Sequence, residues 1–209
     1  MTVLKTCQGH KTMNWIKKNW LWATVHTVAL LPLFFLLADA WLNNLSVNPI
    51  QEMTQRTGKT AIRLLVLSLA CTPLKIIFGW RQFLLLRKPL GLYTFVYATL
   101  HFFVFIGLDY GFDLGLIWEA TFEKLFALIG FVALALMTPL ALTSNRWSMR
   151  QLGKNWKRLH QLVYLISILA VLHFLWSRKL ALDPEPLVYG GIILILLAIR
   201  MSPIRKKIC

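Results

Sequence analysis

Four of the five histidines in this sequence lie inside or beside long apolar runs, where ionisable side chains are rare. They are His26, His101, His160 and His173. An imidazole in such surroundings suggests a function, because its neutral form binds metals and it can accept a proton near its unperturbed pKa of about 6.5. For any one of them, a packed histidine satisfied by a neighbouring hydroxyl is the competing explanation. The fifth, His10, lies in a basic N-terminal segment, where a solvated side chain is favoured.

The positions of His101 and His173 favour a paired site. At a rise of about 1.5 Å per residue, His101 is expected roughly 16 Å along the third predicted helix and His173 roughly 20 Å along the fifth, which runs the same way. Neutral imidazoles that face each other at one depth can hold a haem iron from both sides. We therefore predict that the two residues are axial haem ligands. The aromatic residues nearby suit a porphyrin but equally suit lipid: Phe102, Phe103, Phe105, Phe174 and Trp176.

His160 stands apart from this pair. It precedes His173 by 13 residues, which in one straight helix is about 1300° of rotation and leaves the two side chains some 140° apart. It is also expected at the cytoplasmic end of its helix, near the level of His26. Three interpretations stay open for His160: a ligand of a second haem, part of a quinol pocket shared with His26, or an interfacial packing residue.

The elements that must position these histidines are membrane helices. The chain has 209 residues, of which 57% are hydrophobic and 15% charged, with a mean hydropathy of +0.61, and this is far more apolar than a soluble domain. A helix needs about 20 apolar residues to span a bilayer, and backbone groups in lipid need internal partners. We predict an all-α integral membrane protein, one domain over residues 1–209, with six transmembrane helices at 20–42, 60–80, 90–110, 124–143, 159–176 and 187–202.

The distribution of charge predicts the orientation of this bundle. The formal net charge is +15, and four clusters, at 5–18, 75–88, 146–158 and 200–207, hold 17 of the 23 basic residues. Basic clusters mark cytoplasmic loops, so both termini are expected in the cytoplasm and all eight acidic residues on the opposite side. Topology and contact with anionic lipid explain the charge without nucleic acid. The segment 146–158, with five cations, could also hold a nucleotide phosphate.

Cysteine usage and the N-terminus add two expectations. Cys7, Cys71 and Cys209 form no CxxC motif, so a disulfide framework or covalent haem attachment is not expected, and any haem is held by coordination alone. The basic residues before the first apolar run resemble the start of a signal peptide. No small-residue cleavage site follows a short apolar core, so this helix is expected to be retained.

Several stretches resemble one family of membrane proteins. They are LLPLF at 30–34, TGKTAIRLLVLSLACTPL from Thr57, RKPLGLYTFVYATLHFFVF from Arg87, and LGKNWKRLHQLVYLISILAVLHFLWSRK from Leu152. Together they resemble the MsrQ family, also called YedZ, within the ferric reductase-like transmembrane group. Its members are haem-binding membrane subunits of bacterial systems that reduce methionine sulfoxide in periplasmic proteins.

The resemblance implies cofactors, partners and a location. It places the haem histidines at His101 and His173, with His160 as a further candidate, and implies haem b, in one copy or two, and FMN. It also implies a bacterial inner membrane, the respiratory quinone pool as electron donor, and a periplasmic, molybdenum-containing catalytic subunit as partner. There is no GxGxxG motif and no room for a flavin and nicotinamide domain, so electrons are expected to come from another molecule.

Two other classes of function compete with electron transfer. A small transporter would show paired broken helices, whereas the marked glycine interruption, at Gly190 and Gly191, has no obvious counterpart in the other half. An assembly factor would have no reason to bury aligned histidines. No residue makes a convincing catalytic nucleophile, so we expect the chain to relay electrons. The partner is expected to dock on the loops 109–124 and 176–186.

Overall fold

The computed structural model describes residues 3–178 and 184–201, with side chains described for 20–178 and 184–200. No strand occurs in this part of the chain. The helices, in chain order, are α1 (Val3–Trp41), α2 (Pro49–Phe78), α3 (Phe83–Phe103, continued by a π-helical turn at Val104–Asp109), α4 (Leu114–Glu123), α5 (Leu125–Leu142), α6 (Arg146–Leu152), α7 (Lys154–His160), α8 (Leu162–Ser177) and α9 (Pro184–Met201).

Five helical segments are long and apolar enough to cross a membrane: Trp20–Trp41, Pro49–Phe78, Phe83–Asp109, Leu125–Leu142 and Lys154–Ser177. They match the first five predicted spans, which confirms an all-α, multi-pass membrane protein. The sixth predicted span coincides with α9, a helix of 18 residues, and its last residue, Ser202, lies outside the described residues. That α9 crosses the membrane, and that both termini are cytoplasmic, stay predictions.

Helix α2 begins well before the predicted start at residue 60. Asn48 caps it by accepting a hydrogen bond from a backbone amide of the first turn, and Pro49 occupies the first helical position, where a proline loses no hydrogen bond. In this first part of α2, Arg56 bonds both Glu52, one turn earlier, and Asp39 of α1. An ion pair to another helix therefore accompanies the early start of α2.

The fifth predicted helix is not one straight segment. It starts early, at Lys154, and is interrupted at Gln161, whose amide donates to the Arg158 carbonyl at 3.1 Å and whose carbonyl accepts from Tyr164 at 3.0 Å. These three-residue bonds form a tighter turn, in which each residue rotates by about 120° instead of about 100°. The value of 140°, which holds for a straight helix, therefore does not apply between His160 and His173, and the added rotation makes the offset smaller.

Two short helices occupy segments that we predicted as loops. Helix α4 lies within 109–124 and is capped by the Asp113 carboxylate, which accepts from the Gly115 amide at 2.8 Å. One of its sides exposes Leu114, Trp118 and Phe122, at 81%, 67% and 49% of their surface. Helix α6 lies within the basic segment 146–158. Both are shorter than a membrane span, so the apolar-run criterion does not detect them.

Helix α2 lies at the centre of the packing. One buried cluster joins it to α1 and α3, and another joins it to α8 and α9. A tyrosine reinforces the first: the Tyr97 hydroxyl donates to the Ala29 carbonyl at 2.6 Å and accepts from the Leu33 amide at 3.1 Å. Those two backbone groups are one turn apart, next to Pro32, which disturbs the backbone hydrogen bonds of α1. The Tyr97 hydroxyl of α3 therefore provides both groups with a hydrogen-bond partner.

Candidate metal centre

His101 of α3 and His173 of α8 lie side by side within the bundle. Their ring centroids are 5.9 Å apart and their planes cross at 84°. His101 follows the start of α3 by 18 residues and His173 follows the start of α7 by 19, so the two side chains occupy matching positions along their helices. The structure thus brings together the pair that depth alone suggested.

Each imidazole is held by a backbone carbonyl of a neighbouring helix. The His101 Nδ1–H donates to the Thr54 carbonyl at 2.9 Å, and the His173 Nδ1–H donates to the Phe126 carbonyl at 2.7 Å. Since a carbonyl can only accept, the proton lies on Nδ1 and the Nε2 lone pair is left for a metal. Metal-binding histidines are usually oriented by such a bond.

A glycine lies against each ring. Gly58 follows Thr54 by one turn of α2, and a Cβ there would come 3.0 Å from the His101 Nδ1. Gly130 follows Phe126 by one turn of α5, and a Cβ there would come 2.7 Å from the His173 Nδ1. In both cases the carbonyl lies 47 residues before the histidine. The pairs α2–α3 and α5–α8 therefore present their imidazoles in the same way.

The two histidines line a cavity of about 500 Å³, a size typical of ligand sites. Its walls come from α2, α3, α5 and α8 and are mainly apolar, and one end is polar. Representative apolar lining residues are Ile62, Leu65, Ala98, Phe102, Phe131 and Leu134, and the polar end includes Asn48, Gln51, Gln55, Lys59 and Arg178. Lys59 forms an ion pair with Glu185. The cavity suits a largely apolar ligand with a polar edge.

The separation of the two rings matches that of two imidazoles bound to one metal ion. Two imidazoles bound through metal–nitrogen bonds of about 2.0 Å place their ring centroids roughly 6 Å apart, and the observed separation is 5.9 Å. Within residues 3–178 and 184–201, no group of three or more His, Cys, Asp or Glu side chains could hold a metal. A metal at the pair would need equatorial ligands from another molecule, as a porphyrin supplies them to iron.

His26 occupies a separate place, between α1 and α3. Its Nδ1 lies 2.7 Å from the Tyr93 hydroxyl, and its ring lies 4.9 Å from that of Trp22. These residues line a second cavity, of about 250 Å³, together with Leu85, Lys88, Pro89, Leu92 and Val96. The sequence did not single out Tyr93, because a tyrosine in an apolar run has no distinguishing pattern.

His160 lies at the end of α7. Its ring stacks on Trp156 at 4.0 Å, its Nδ1–H donates to the Trp156 carbonyl at 3.1 Å, and its Nε2 is 3.5 Å from the Ser144 hydroxyl. In the part of the chain that the structure describes, no hydrogen bond or ring contact joins His160 to His26. A quinol pocket shared by these two histidines stays a prediction, as does a second haem at His160.

Comparisons with known proteins agree with the resemblance seen in the sequence. The family described as "Ferric reductase like transmembrane component" matches residues 57–171. The protein-methionine-sulfoxide reductase heme-binding subunit MsrQ of Rhodospirillum rubrum is 41% identical over 88% of both chains. The MsrQ subunit of Deinococcus radiodurans is 46% identical over 77% of this chain and 79% of its own length. That of Xanthomonas axonopodis pv. citri is 40% identical over 85% and 84%. No solved structure gave a significant match.

Proposed function

Because the chain belongs to the MsrQ family of haem-binding subunits, within the ferric reductase-like transmembrane group, we propose that it passes electrons from membrane quinol to a methionine sulfoxide reductase subunit. The observation that carries this proposal is the paired imidazoles of His101 and His173, 5.9 Å apart in an apolar cavity. We propose that it resides in a bacterial inner membrane, a location that the family resemblance supports.

The residues of this cavity fit a haem b. His101 and His173 would hold the haem iron through their Nε2 atoms, while the Thr54 and Phe126 carbonyls keep both rings in position. The mainly apolar walls suit the porphyrin ring, and the polar end, with Lys59 and Arg178, suits the carboxylates of a porphyrin. When bound, the haem supplies a one-electron redox centre.

The family resemblance supports further components. They are FMN, the respiratory quinone pool as donor, and a periplasmic, molybdenum-containing catalytic subunit that carries out the substrate chemistry. Reduction of methionine sulfoxide restores an apolar side chain and so repairs oxidised proteins. We propose that the partner docks on 109–124, which includes α4, and on 176–186, of which 179–183 lie outside the described residues.

Donor chemistry is proposed at the opposite end of the bundle. His26 and His160 lie near the basic segments predicted to be cytoplasmic. His26 lines the second cavity, and a hydroxyl group lies beside His160. We propose a quinol site there, with His160 as a proton acceptor. A second proposal for His160 is ligation of another haem, and the haem content of His160→Ala, measured beside its reduction by quinol, separates the two.

Reconstitution of electron flow tests the proposed function. The purified chain, in detergent, should acquire the spectrum of reduced haem when a quinol is added. Adding the oxidised catalytic subunit with methionine sulfoxide should then restore the oxidised spectrum. A chain that is colourless after expression with ample haem would support a transporter or an assembly factor instead.

A further inference from the structure

The polar end of the larger cavity carries one cation for each histidine of the pair. Lys59 directly follows Gly58, the glycine against the His101 ring, and Arg178 lies five residues after His173. Both cations line the cavity, and their side chains are only 25% and 28% exposed. Each has lost much of its hydration there, so an anionic partner is favoured.

Glu185, in the first turn of α9, supplies an anion to this end of the cavity. Its Oε2 lies 2.5 Å from the Lys59 Nζ and 4.0 Å from the Arg178 Nη2. Its Oε1 lies 4.0 Å from the Arg63 Nη2. One carboxylate therefore interacts with three cations, and its shortest contact is with Lys59.

The start of α9 has other contacts that hold it in place. Pro186 is fully buried, and the Tyr189 hydroxyl accepts a hydrogen bond from the Arg63 Nε at 3.1 Å. Tyr189 also packs against the buried cluster that joins α2, α8 and α9. The ion pair between Lys59 and Glu185 can therefore open while α9 keeps its position.

The cavity has one other carboxylate among its described lining residues, Asp109. The pKa of Lys124 is raised by its bond to the Tyr110 hydroxyl and, to a smaller extent, by the charge of Asp109. Asp109 is therefore close to a different cation, one that does not line the cavity. Glu185 is the anion that an acidic ligand would displace in order to bind Lys59.

We propose that Lys59 binds a carboxylate of the porphyrin and that Glu185 competes for the same ammonium group. This rests on the proposed haem site, because it concerns the ligand of that cavity. Exchange of one carboxylate for another keeps Lys59 paired, which avoids the cost of a partly buried charge without a partner. A porphyrin without free carboxylates gains nothing from Lys59. The two residues therefore select a porphyrin with acidic side chains and determine how tightly it is held.

Release of porphyrin from the full-length chain tests the proposal. The chain, purified from haem-deficient cells, is loaded in detergent with haem b or with its dimethyl ester, whose carboxylates are blocked, and is then mixed with excess apomyoglobin. The wild type should release the ester faster. Lys59→Gln should speed release of haem b about tenfold, because a hydrogen bond between charged groups is lost, and leave release of the ester unchanged. Glu185→Gln, which removes the competing carboxylate, should slow release of haem b.

Lys124→Gln is the matched control, because it removes a cation of the same predicted membrane side that does not line the cavity. Its release rates should equal those of the wild type, and Lys59→Arg, which keeps the charge, should keep the preference for haem b. A monodisperse elution profile establishes that each variant is folded. If Lys59→Gln fails this criterion, Glu185→Gln and the wild type carry the comparison.

Three results would overturn the proposal while leaving the haem site intact. They are equal release of the two porphyrins by the wild type, faster release of haem b from Lys124→Gln to the same extent as from Lys59→Gln, and faster release from Glu185→Gln. A wild-type chain that takes up neither porphyrin would contradict the haem site itself, and this proposal with it.

Discussion

His173 donates a hydrogen bond from Nδ1 to the backbone carbonyl of Phe126, at 2.7 Å. The His101 Nδ1 makes the equivalent bond to Thr54 at 2.9 Å, so both rings are held by groups that a side-chain substitution cannot remove. The glycines one turn further on, Gly130 and Gly58, can be substituted to disturb these rings. Each determines how closely its helix approaches the imidazole.

Gly130→Ala is expected to disturb the candidate site. The new Cβ would lie 2.7 Å from two atoms of the His173 ring, a separation that forces the ring or α5 to move. Loss of the orienting contacts of a metal-binding histidine typically weakens metal affinity about 10- to 100-fold. Haem content per protein, with the absorption spectrum, measures the effect. Gly58→Ala, with a contact of 3.0 Å, should have a smaller effect in the same direction.

Gly191→Ala is the control for both glycine variants. A Cβ at Gly191 meets no atom within 4 Å, so the variant should keep its haem while gaining up to about 1 kcal/mol of helix propensity. Equal haem loss in all three variants would indicate a general effect of alanine on these helices and would contradict a specific role for the two glycines.

Tyr97→Phe is expected to destabilise the bundle. The hydroxyl bridges the Ala29 carbonyl and the Leu33 amide in a fully buried position, and leaving such groups unsatisfied costs about 1–3 kcal/mol. Thermal unfolding in detergent should show a lower midpoint. Tyr110→Phe, which removes an exposed bond from Lys124, should change the midpoint little. Equal midpoints for the two variants would exclude a stabilising role for the Tyr97 bridge.

His160→Ala distinguishes two roles. If His160 serves a quinol site, the variant should keep the haem at His101 and His173 but lose reduction by quinol. If it binds a second haem, part of the haem content and one redox component should disappear. The stacking on Trp156 and the Ser144 contact agree with a proton-accepting role, which we expect. Measuring haem content beside quinol-driven reduction decides, and a variant unchanged in both would make His160 a packing residue.

Crosslinking tests the predicted side of docking. Photo-crosslinkers placed at 109–124, for example at the exposed Trp118, should capture a periplasmic reductase in cells. The same probes at 146–158 serve as the control for the opposite side. Crosslinks found only from 146–158 would show that the predicted topology is inverted.

Much of the fold followed from the apolar runs, because lipid leaves the backbone few alternatives to a helix. The matching depth of His101 and His173 was also predictable, since helical rise is regular. The early start of α2 was not, because Arg56 is stabilised by Asp39, which is distant in sequence. The interruption at Gln161 likewise left no glycine or proline signal.

The surroundings of the site were harder to predict than its central residues. Gly58 and Gly130 look like ordinary helix glycines until the structure places an imidazole against each. Arg200 looked like one more cation of a cytoplasmic cluster, whereas its burial depends on α2 and α8 packing around it. Such roles arise from contacts between helices, which periodicity along one helix does not encode.

The haem spectra of His101→Ala and His173→Ala test directly whether this pair holds the haem. Removing either imidazole should abolish the low-spin, six-coordinate spectrum or convert it to another form, because each would supply one axial nitrogen. His26→Ala, which removes a membrane histidine from a different cavity, should leave the spectrum unchanged. An unaltered six-coordinate spectrum in both single variants would contradict the assignment of this pair.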